Sequence, residues 1–590
     1  MQLKNRFFIG CLIGLGLLGI GYYVLYPHAH SFWKKKFKNY VQEQFIDSIQ
    51  LKTTRSIPHD ADLGSYLAGY FAQNDRNYHY AAHYFEKVLQ KDENYHELKQ
   101  SLLMYYLLTG QIDKAVLLLP QPIQASESTL LSTPVIIADF FNKKEYQKVL
   151  DFLKAKKSSH SDIYATPLLS AWAYAGLNKE KEAFDALNTL PIKEFQNVYN
   201  YHKILLLIYF GKKEEALSLY QNTQENQIYS IQMILSLFDV LPPDNPSLSE
   251  KLLDKLVIPF FHNNLQAYHI YKNLNLKSIS TPQEAVSHIY QIFSLYFYQN
   301  DMPEITLSLN NIALYLSPDS NLMKLLVAES YDAIDMYDYE GKTLNSIDSE
   351  SMLILSKIAL NHMKLNNFSK AIDMFQTLLL HSPNDSFLHL YIAQSYVSLY
   401  QYEKALEHLN QAYDLMAQQQ RIPELVEILV WRSTAYDGLN QPNKALDSLY
   451  EAHRYNPRDV SVLNALGYLL IDYDIDVQKG LRFVLQAHQI IPDDGPILDS
   501  VSWGYYKAGD YQKALKYAEK ALKQIPSNAV MYMHLGDIYM ALNRKQDAIS
   551  AYQKALKAKQ DKTPKIETQI KQKLASFQES EDTENKEEKE

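Results

Sequence analysis

Along most of this chain, apolar and polar positions follow the spacing of amphipathic helices. The helices occur in pairs, and the pairs recur about every 34 residues. The pattern is clearest between residues 352 and 557. Each pair carries a tyrosine or histidine late in its first helix and an alanine early in its second. Ala405 follows Ala371, and Ala548 follows Ala514, each at a distance of about 34 residues. A fixed period of this length predicts a solenoid, because no single pair can bury its apolar face alone.

Prolines close several pairs at a fixed distance after that alanine, as Pro383 does after Ala371. The N-terminal half carries the same pattern less cleanly, although Ala115 still follows Ala81 at the distance of one period. Between roughly 222 and 280 the period alone places no pair. The repeats therefore extend over most of the chain, with one stretch left unassigned.

These pairs resemble the tetratricopeptide repeat family. In the last full copy, seven residues match the family's internal signature positions: Tyr532, Leu535, Gly536, Tyr539, Ala548, Tyr552 and Ala555. Gly536 and Ala548 allow the two helices to approach closely, and the larger side chains fill the space between them. Six consecutive copies of this kind follow one another, and the resemblance covers most of residues 61–560. It implies an all-α fold, a right-handed α-solenoid of stacked helix–turn–helix repeats preceded by an N-terminal transmembrane helix.

The pattern divides the chain into seven segments. They are an N-terminal flank (1–6), a transmembrane anchor or signal segment (7–26), a basic juxtamembrane linker (27–60), degenerate repeats (61–345), regular repeats (346–560), a capping helix (561–577) and an acidic tail (578–590). A capping helix is expected because a solenoid must cover its last apolar face. The tail has seven acids against two lysines, a composition that predicts disorder.

Residues 7–26 are 20 consecutive residues without a charge. As a helix this run can cross a hydrocarbon core of about 30 Å, and three tyrosines gather at its C-terminal end as interfacial aromatic residues do. We therefore expect a membrane anchor. Two alternatives stay open. One is a cleaved signal peptide, for which residues 29–31 form a tolerable site, and the other is a lipoprotein, although Cys11 precedes the apolar run.

The charges that flank this segment leave its orientation open. Lys4 and Arg6 precede it and four lysines follow it, so the positive-inside rule favours a cytoplasmic body. A short charged N-terminus before an apolar run is also how export signals begin. By analogy with exported repeat proteins, we expect a bacterial inner-membrane protein with its repeats in the periplasm. The alternatives are a body that faces the cytoplasm, or release into the periplasm after cleavage.

No motif outside residues 7–26 indicates catalysis, because phosphate loops, zinc-protease motifs, C-x-x-C pairs and nucleophile elbows are all missing from the sequence. Residues 14–19 have dinucleotide-binding spacing but lie within the apolar run. His79 and His83 share a helix face but lack a third metal ligand. Cys11 is the only cysteine, and the net charge of −9 gives no case for nucleic acid. We expect no enzymatic activity, no cofactor and no metal.

The resemblance implies that a partner lies along a concave groove lined by the first helix of each pair. The family's groove positions, transferred to three adjacent pairs, are Asn464, Tyr468, Ile471, Asp499, Trp503, Tyr506, Met533, Asp537 and Met540. Aromatic rings and acids at these positions favour an extended peptide or helix with basic and apolar side chains. The positions lack the Lys/Asn/Arg cluster with which co-chaperone members hold a C-terminal carboxylate. The alternative is that Trp503 and Tyr506 simply pack between helices.

We interpret the chain as a membrane-tethered scaffold that recruits or organises other proteins at a bacterial cell envelope. Two alternatives stay open: a chaperone-like module that holds exported or unfolded clients, and a regulatory subunit of an envelope enzyme. A scaffold should bind one folded partner, and Trp503→Ala should abolish that binding. A holding chaperone should bind many unfolded chains, and its binding should depend little on any single side chain. A regulatory subunit should alter the turnover of its enzyme.

Overall fold

The computed structural model describes residues 62–91, 96–119, 129, 131–156, 162–222, 278–349, 351–558 and 563–587. These ranges contain 27 α-helices and no strand. The all-α fold of stacked helix pairs expected from the repeat is therefore confirmed. The chain divides into two compact units, Met1–Leu365 and Asn366–Glu590, which we call the N-terminal and C-terminal units.

The described part of the N-terminal unit contains fifteen helices. In chain order, α1 to α15 are Leu63–Asn74, Tyr78–Lys91, His96–Leu108, Ile112–Leu118, Ser132–Asn142, Tyr146–Ala155, Asp162–Gly176, Glu180–Leu187, Ile192–Tyr209, Lys213–Asn222, Pro282–Gln299, Pro303–Leu316, Asn321–Ala333, Tyr337–Asn345 and Met352–Lys364.

The described part of the C-terminal unit contains twelve helices. In chain order, α16 to α27 are Phe368–His381, Ser386–Ser398, Tyr402–Gln418, Ile422–Gly438, Pro442–Tyr455, Val460–Asp472, Val477–Ile490, Gly495–Lys507, Tyr511–Gln524, Ala529–Ala541, Lys545–Lys557 and Pro564–Glu587.

The turn inside each pair of the N-terminal unit contains a residue with positive φ. From α1 to α10 these residues are Arg76, Gly110, Lys144, Asn178 and Gly211, which follow one another at intervals of about 34 residues. Only glycine adopts this conformation without a steric cost. The turn position nevertheless has the same backbone conformation in all five pairs, although four different residue types occupy it. The half of the chain that is degenerate in sequence is therefore regular in its backbone.

The C-terminal unit departs from the uniform period at one place. Inside its pairs, the turn residues with positive φ are Asn366, Tyr400, Asn440, Asp474, Gly509 and Asn543, and their spacing is even except for a longer interval between Tyr400 and Asn440. Gln420, in the turn that connects α18 to α19, also has a positive φ. The interval between Tyr400 and Asn440 is longer because α18 and α19 are each 17 residues long, compared with 13 or 14 in the neighbouring pairs. The six regular copies therefore do not share a single period.

Small residues allow the two helices of each pair to approach closely. The signature alanines Ala371, Ala405, Ala445, Ala514 and Ala548 are completely buried. At Gly536 an added Cβ would lie 2.3 Å from Cε1 of Tyr552, so the tyrosine ring occupies the space that any larger residue would need. Ser502, where the family prefers a glycine, donates from Oγ to the carbonyl oxygen of Ala514 at 2.8 Å.

In the N-terminal unit, the pair α11–α12 packs against helices far earlier in the chain. α12 contacts α3 and α5, and α11 contacts α5 and α7. Asn311 donates from Nδ2 to the carbonyl oxygen of Leu107 at 2.8 Å, and Gln283 donates from Nε2 to that of Phe141 at 3.1 Å. One hydrophobic cluster consequently extends through the described helices of this unit.

In the C-terminal unit, the core is a series of smaller clusters, each formed by helices adjacent in the chain. The first helices of successive pairs also contact one another directly: α17 contacts α19, α19 contacts α21, α21 contacts α23, and α23 contacts α25. We call α19, α21, α23 and α25 the first-helix row. The row forms one continuous surface on which side chains of different repeats lie side by side.

Some of the predicted segments lie outside the described ranges. They are the flank 1–6, the membrane segment 7–26, the linker 27–60 and most of the unassigned stretch near 222–280. Among the helices that are described, none combines the length and apolarity needed to cross a membrane. α27 continues to Glu587, past the predicted end of the capping helix at 577. The boundaries of the segments stay predictions.

Candidate functional site

The nine predicted groove residues lie on α21, α23 and α25, three consecutive members of the first-helix row. Met540 is the most exposed of them, at 40%. Ile471 does not reach the surface. It is completely buried, and a Cβ added at Gly480 or Gly504 would meet its side chain at 2.7 or 3.1 Å. Ile471 therefore belongs to the core, where it fills the space that the two glycines leave.

Aromatic stacking organises the centre of the row. The ring of Trp503 lies 4.1 Å from that of His534 with an interplanar angle of 12°, and 4.7 Å from that of Tyr506 with an angle of 9°. The indole Nε1 donates to Oδ1 of Asp472 at 3.0 Å. Trp503 is only 7% exposed, so it supports the surface more than it offers a free contact area.

Four carboxylates follow one another along the row: Asp437 on α19, Asp472 on α21, Asp499 on α23 and Asp537 on α25. Oδ1 of Asp437 accepts from the Tyr473 hydroxyl at 2.7 Å. The imidazole Nδ1 of His534 lies 3.0 Å from Oδ2 of Asp499.

Oδ1 of Asp537 accepts from the Tyr552 hydroxyl at 2.6 Å and from Nζ of Lys573 at 2.7 Å. Each of the four carboxylates therefore has at least one protein donor or cation beside it.

Asp437 and Asp472 were not among the predicted residues, because α19 is outside the three pairs to which the groove positions were transferred and the positions on α21 end at Ile471. A signal for both was present. Each lies in the last two residues of its helix, where the negative end of the helix dipole disfavours an acid. Two successive first helices carry an acid at this place, and that recurrence is the signal that the sequence offered.

The charges of the row influence one another. Burial raises the pKa of Asp437 above its ordinary value, although the hydroxyl of Tyr473 and the charge of Lys565 act in the opposite direction. Burial alone would lower the pKa of His534, but the carboxylates of Asp499, Asp537 and Asp472 outweigh it and raise that pKa. The row is thus an acidic surface that favours a cation within it.

Two buried oxygens on adjacent first helices, Oδ1 of Asn464 and Oδ1 of Asp499, have no hydrogen-bond partner among the described residues. They occupy equivalent positions, since each residue is the fifth of its helix. A buried acceptor without a donor costs about 1–3 kcal/mol. A bound group that donates hydrogen bonds to either oxygen would recover this free energy, and ammonium and guanidinium groups are such donors.

The described residues contain no group of three or more His, Cys, Asp or Glu side chains arranged to hold a metal ion. His79 and His83 are both exposed on α2, each beside the ring of the following tyrosine.

Residues 502–563 match the family model described as tetratricopeptide repeat. This match includes α24, α25 and α26 of the C-terminal unit and supports the resemblance seen in the sequence. A TPR repeat-containing protein of Pseudomonas aeruginosa is 30% identical over 150 residues, which are 25% of this chain and 24% of that protein. The peroxisomal targeting signal receptor of Saccharomyces cerevisiae is 24% identical over 155 residues, which are 26% of this chain and 22% of the receptor.

Two solved structures are similar over a larger share of the chain. Yeast Tom70 is 15% identical, with 88% of this chain and 96% of that chain covered and a TM-score of 0.35. The Cut9–Hcn1 hetero-tetramer of the APC/C is 14% identical, with 86% and 96% covered and a TM-score of 0.36. The chain spans between 20% and 34% of the length of the curated relatives that it matches.

Proposed function

We propose that this chain is a non-enzymatic scaffold whose C-terminal unit binds a segment of a partner protein along the first-helix row. The observation that carries the proposal is the line of four carboxylates on successive first helices beside the Trp503 stack. Tetratricopeptide repeat proteins generally mediate protein–protein interactions, and one relative is named as a receptor for a targeting signal. The acids favour a partner segment with basic side chains, and the aromatic rings favour apolar ones.

The unpaired oxygens of Asn464 and Asp499 support a cation at the centre of this surface. Asp499 is buried and uses its other oxygen for His534, so its free oxygen is held in place before a ligand arrives. A preorganised acceptor binds a donor with little further loss of conformational entropy. We therefore propose that one lysine or arginine of the partner is anchored here.

The cellular setting is part of the proposal and rests on the sequence. Residues 7–26 have the length and composition of a membrane anchor. We propose that this segment tethers the scaffold to a bacterial inner membrane, with the repeats in the periplasm. Fusion of a compartment-specific reporter to the C-terminus tests the setting independently of binding, because activity of a cytoplasmic reporter would contradict it.

Selection of a displayed library of random peptides against the purified full-length chain tests the binding surface. The peptides should be about 12 residues long, so that an extended peptide can span three repeats. We expect the selected peptides to be enriched in lysine or arginine together with apolar residues. Asp499→Asn should weaken their binding about tenfold, equivalent to about 1.4 kcal/mol, because it removes the negative charge but keeps the side-chain shape. Asp447→Asn, the same change at an exposed position of the second helix α20, is the matched control and should leave affinity unchanged.

Two results would contradict the proposal: selection of peptides without basic residues, or equal affinity of the wild type and Asp499→Asn. Indiscriminate binding of unfolded chains, unaffected by Asp499→Asn, would favour a holding chaperone instead.

A further inference from the structure

The C-terminal helix α27 has an apolar face that packs on the end of the C-terminal unit. Ile566, Ile570 and Leu574 recur every four residues and join one hydrophobic cluster with Tyr552 and Met533. Ile570 is completely buried. Met533 is one of the predicted groove residues on α25, so α27 covers part of the first-helix row as well as the second helix α26.

One lysine of α27 pairs with an acid of the row, and a second lysine acts on another of these acids through its charge. Nζ of Lys573 lies 2.7 Å from Oδ1 of Asp537, and the carboxylate of this pair is about nine-tenths buried. Lys565, eight residues earlier, is close enough to Asp437 for its charge to oppose the effect of burial on that carboxyl group's pKa. Asp537 is on α25, the last helix of the row, and Asp437 is on α19, the first.

Closing the end of a solenoid does not require this arrangement. A capping helix needs an apolar face toward the last pair and a polar face toward water. α27 additionally pairs Lys573 with the buried carboxylate of Asp537, and it carries a second lysine whose charge acts on Asp437. Covering an apolar surface does not need charge complementarity. Complementary charges determine which segment binds and in which register.

We propose that α27 is an internal ligand of the first-helix row, and that the partner is an amphipathic helix with the same pattern. That pattern is two lysines eight residues apart, each followed by a branched aliphatic residue, with a third aliphatic residue midway between these two. The inference rests on the proposed function and specifies its partner as a helix that docks by its apolar face. Because α27 and the partner use the same carboxylates, the partner must displace α27.

A synthetic fluorescent peptide of residues 563–577 is the probe, and its fluorescence anisotropy with the full-length chain measures binding. In the double variant Lys565→Gln, Lys573→Gln, the internal helix keeps its apolar face but loses the Lys573–Asp537 ion pair and the charge of Lys565 that acts on Asp437. We expect this variant to bind the probe about tenfold more tightly than the wild type, a difference of about 1.4 kcal/mol. Adding Asp437→Asn and Asp537→Asn to the variant should abolish the gain.

Lys571→Gln is the matched control, because Lys571 is on the same helix but pairs with Glu567 of that helix. It should leave the affinity for the probe unchanged. A probe with glutamine at both Lys565 and Lys573 should bind at least tenfold more weakly than the native probe. Hydrogen exchange of Ile570 and its neighbours verifies that the double variant remains folded.

Equal affinity of the wild type and the double variant for the probe, or no binding to either, would overturn the internal-ligand proposal. If library peptides sensitive to Asp499→Asn still bind in that case, α27 is only a cap and the proposed function stands. If neither the probe nor such peptides bind, the proposed function fails as well.

Discussion

The two units build their cores from similar helix pairs but connect them differently. In the N-terminal unit, α12 contacts α3, and a hydrogen bond joins residues 204 positions apart, Asn311 and Leu107. In the repeats of the C-terminal unit, each cluster joins helices that are adjacent in the chain. The comparison shows that one repeat pattern is compatible with a closed assembly and with a linear one.

This difference has an energetic consequence. In a linear solenoid, stability is approximately the sum of each repeat and its nearest-neighbour interfaces, so a local defect stays local. In the N-terminal unit, loss of one helix also removes contacts made by helices far away in sequence. We therefore expect the N-terminal unit to open as a larger cooperative block, and the C-terminal unit to open pair by pair.

The largest expected effect is that of Trp172→Ala in the N-terminal unit. Trp172 is almost completely buried on α7 and donates from Nε1 to Nδ1 of His202 at 3.1 Å. Removing this side chain should destabilise the unit by about 3–5 kcal/mol. Native-state hydrogen exchange should show reduced protection in α3, α5, α9, α11 and α12 together.

Gly536→Val is the counterpart in the C-terminal unit. The new side chain would overlap the ring of Tyr552 and should cost about 1–3 kcal/mol. Reduced protection should be confined to α25, α26 and α27. Loss of protection throughout the C-terminal unit, or a loss confined to α7 in Trp172→Ala, would contradict the distinction between the two units.

Acidification should affect the two units in opposite ways. Burial lowers the pKa of His202 to about 3 and that of His288 to about 4. An unfolded histidine binds its proton near pH 6.5, so the stability that each contributes is complete above that pH and falls as the pH decreases. At pH 5 each should cost the N-terminal unit about 2 kcal/mol. His534 in the C-terminal unit has a raised pKa, so its contribution is complete at low pH and is lost as the pH rises through that pKa.

Hydrogen exchange of α9 and α11 at pH 7 and pH 5 checks this prediction. Burial raises the pKa of Glu340, also in the N-terminal unit, to about 7, and its contribution has the opposite sign because stability is lost as the pH rises through that value. The comparison is therefore made in a Glu340→Gln background. His202→Gln with His288→Gln should remove most of the acid sensitivity, and an unchanged sensitivity would contradict the assignment.

The smallest effects distinguish the two units most directly. Asn311→Ala leaves the carbonyl of Leu107 without its donor and should cost about 1–2 kcal/mol, with reduced protection in both α3 and α12. Ser502→Ala removes a bond of similar length to the carbonyl of Ala514 and should cost about 1 kcal/mol, limited to α23 and α24. If Asn311→Ala affects α12 alone, the contact with α3 does not couple the two helices.

Local features of the sequence predicted the pairs well. The small seam residues Ala405 and Gly536 are buried where the period places them, because a close approach of two helices accepts only small side chains. The regularity of the N-terminal turns was not visible, because Arg76, Gly110 and Asn178 share a backbone conformation but no side-chain chemistry. A repeat that is conserved in backbone conformation but not in residue type cannot be recognised from the residue types alone.

The candidate site was predicted in part. Asp499, Trp503 and Asp537 lie on one row of first helices, as the transferred positions indicated, and their role in binding stays a prediction. Ile471 faces the core because glycines at neighbouring positions leave a space for it, and that space exists only when α21, α22 and α23 are packed. Asp437 is on a helix to which no position was transferred, and Asp472 follows the last transferred position of its helix, so both were missed.

The sequence by itself determined the local unit: two helices, a tight turn and a small-residue seam, since these depend on residues within about 34 positions of one another. Only the tertiary structure decided which distant helices meet. The packing of α12 on α3 and the pairing of Lys573 on α27 with Asp537 on α25 depend on small rotations between successive pairs. Those rotations accumulate along the chain, and no single residue encodes their sum.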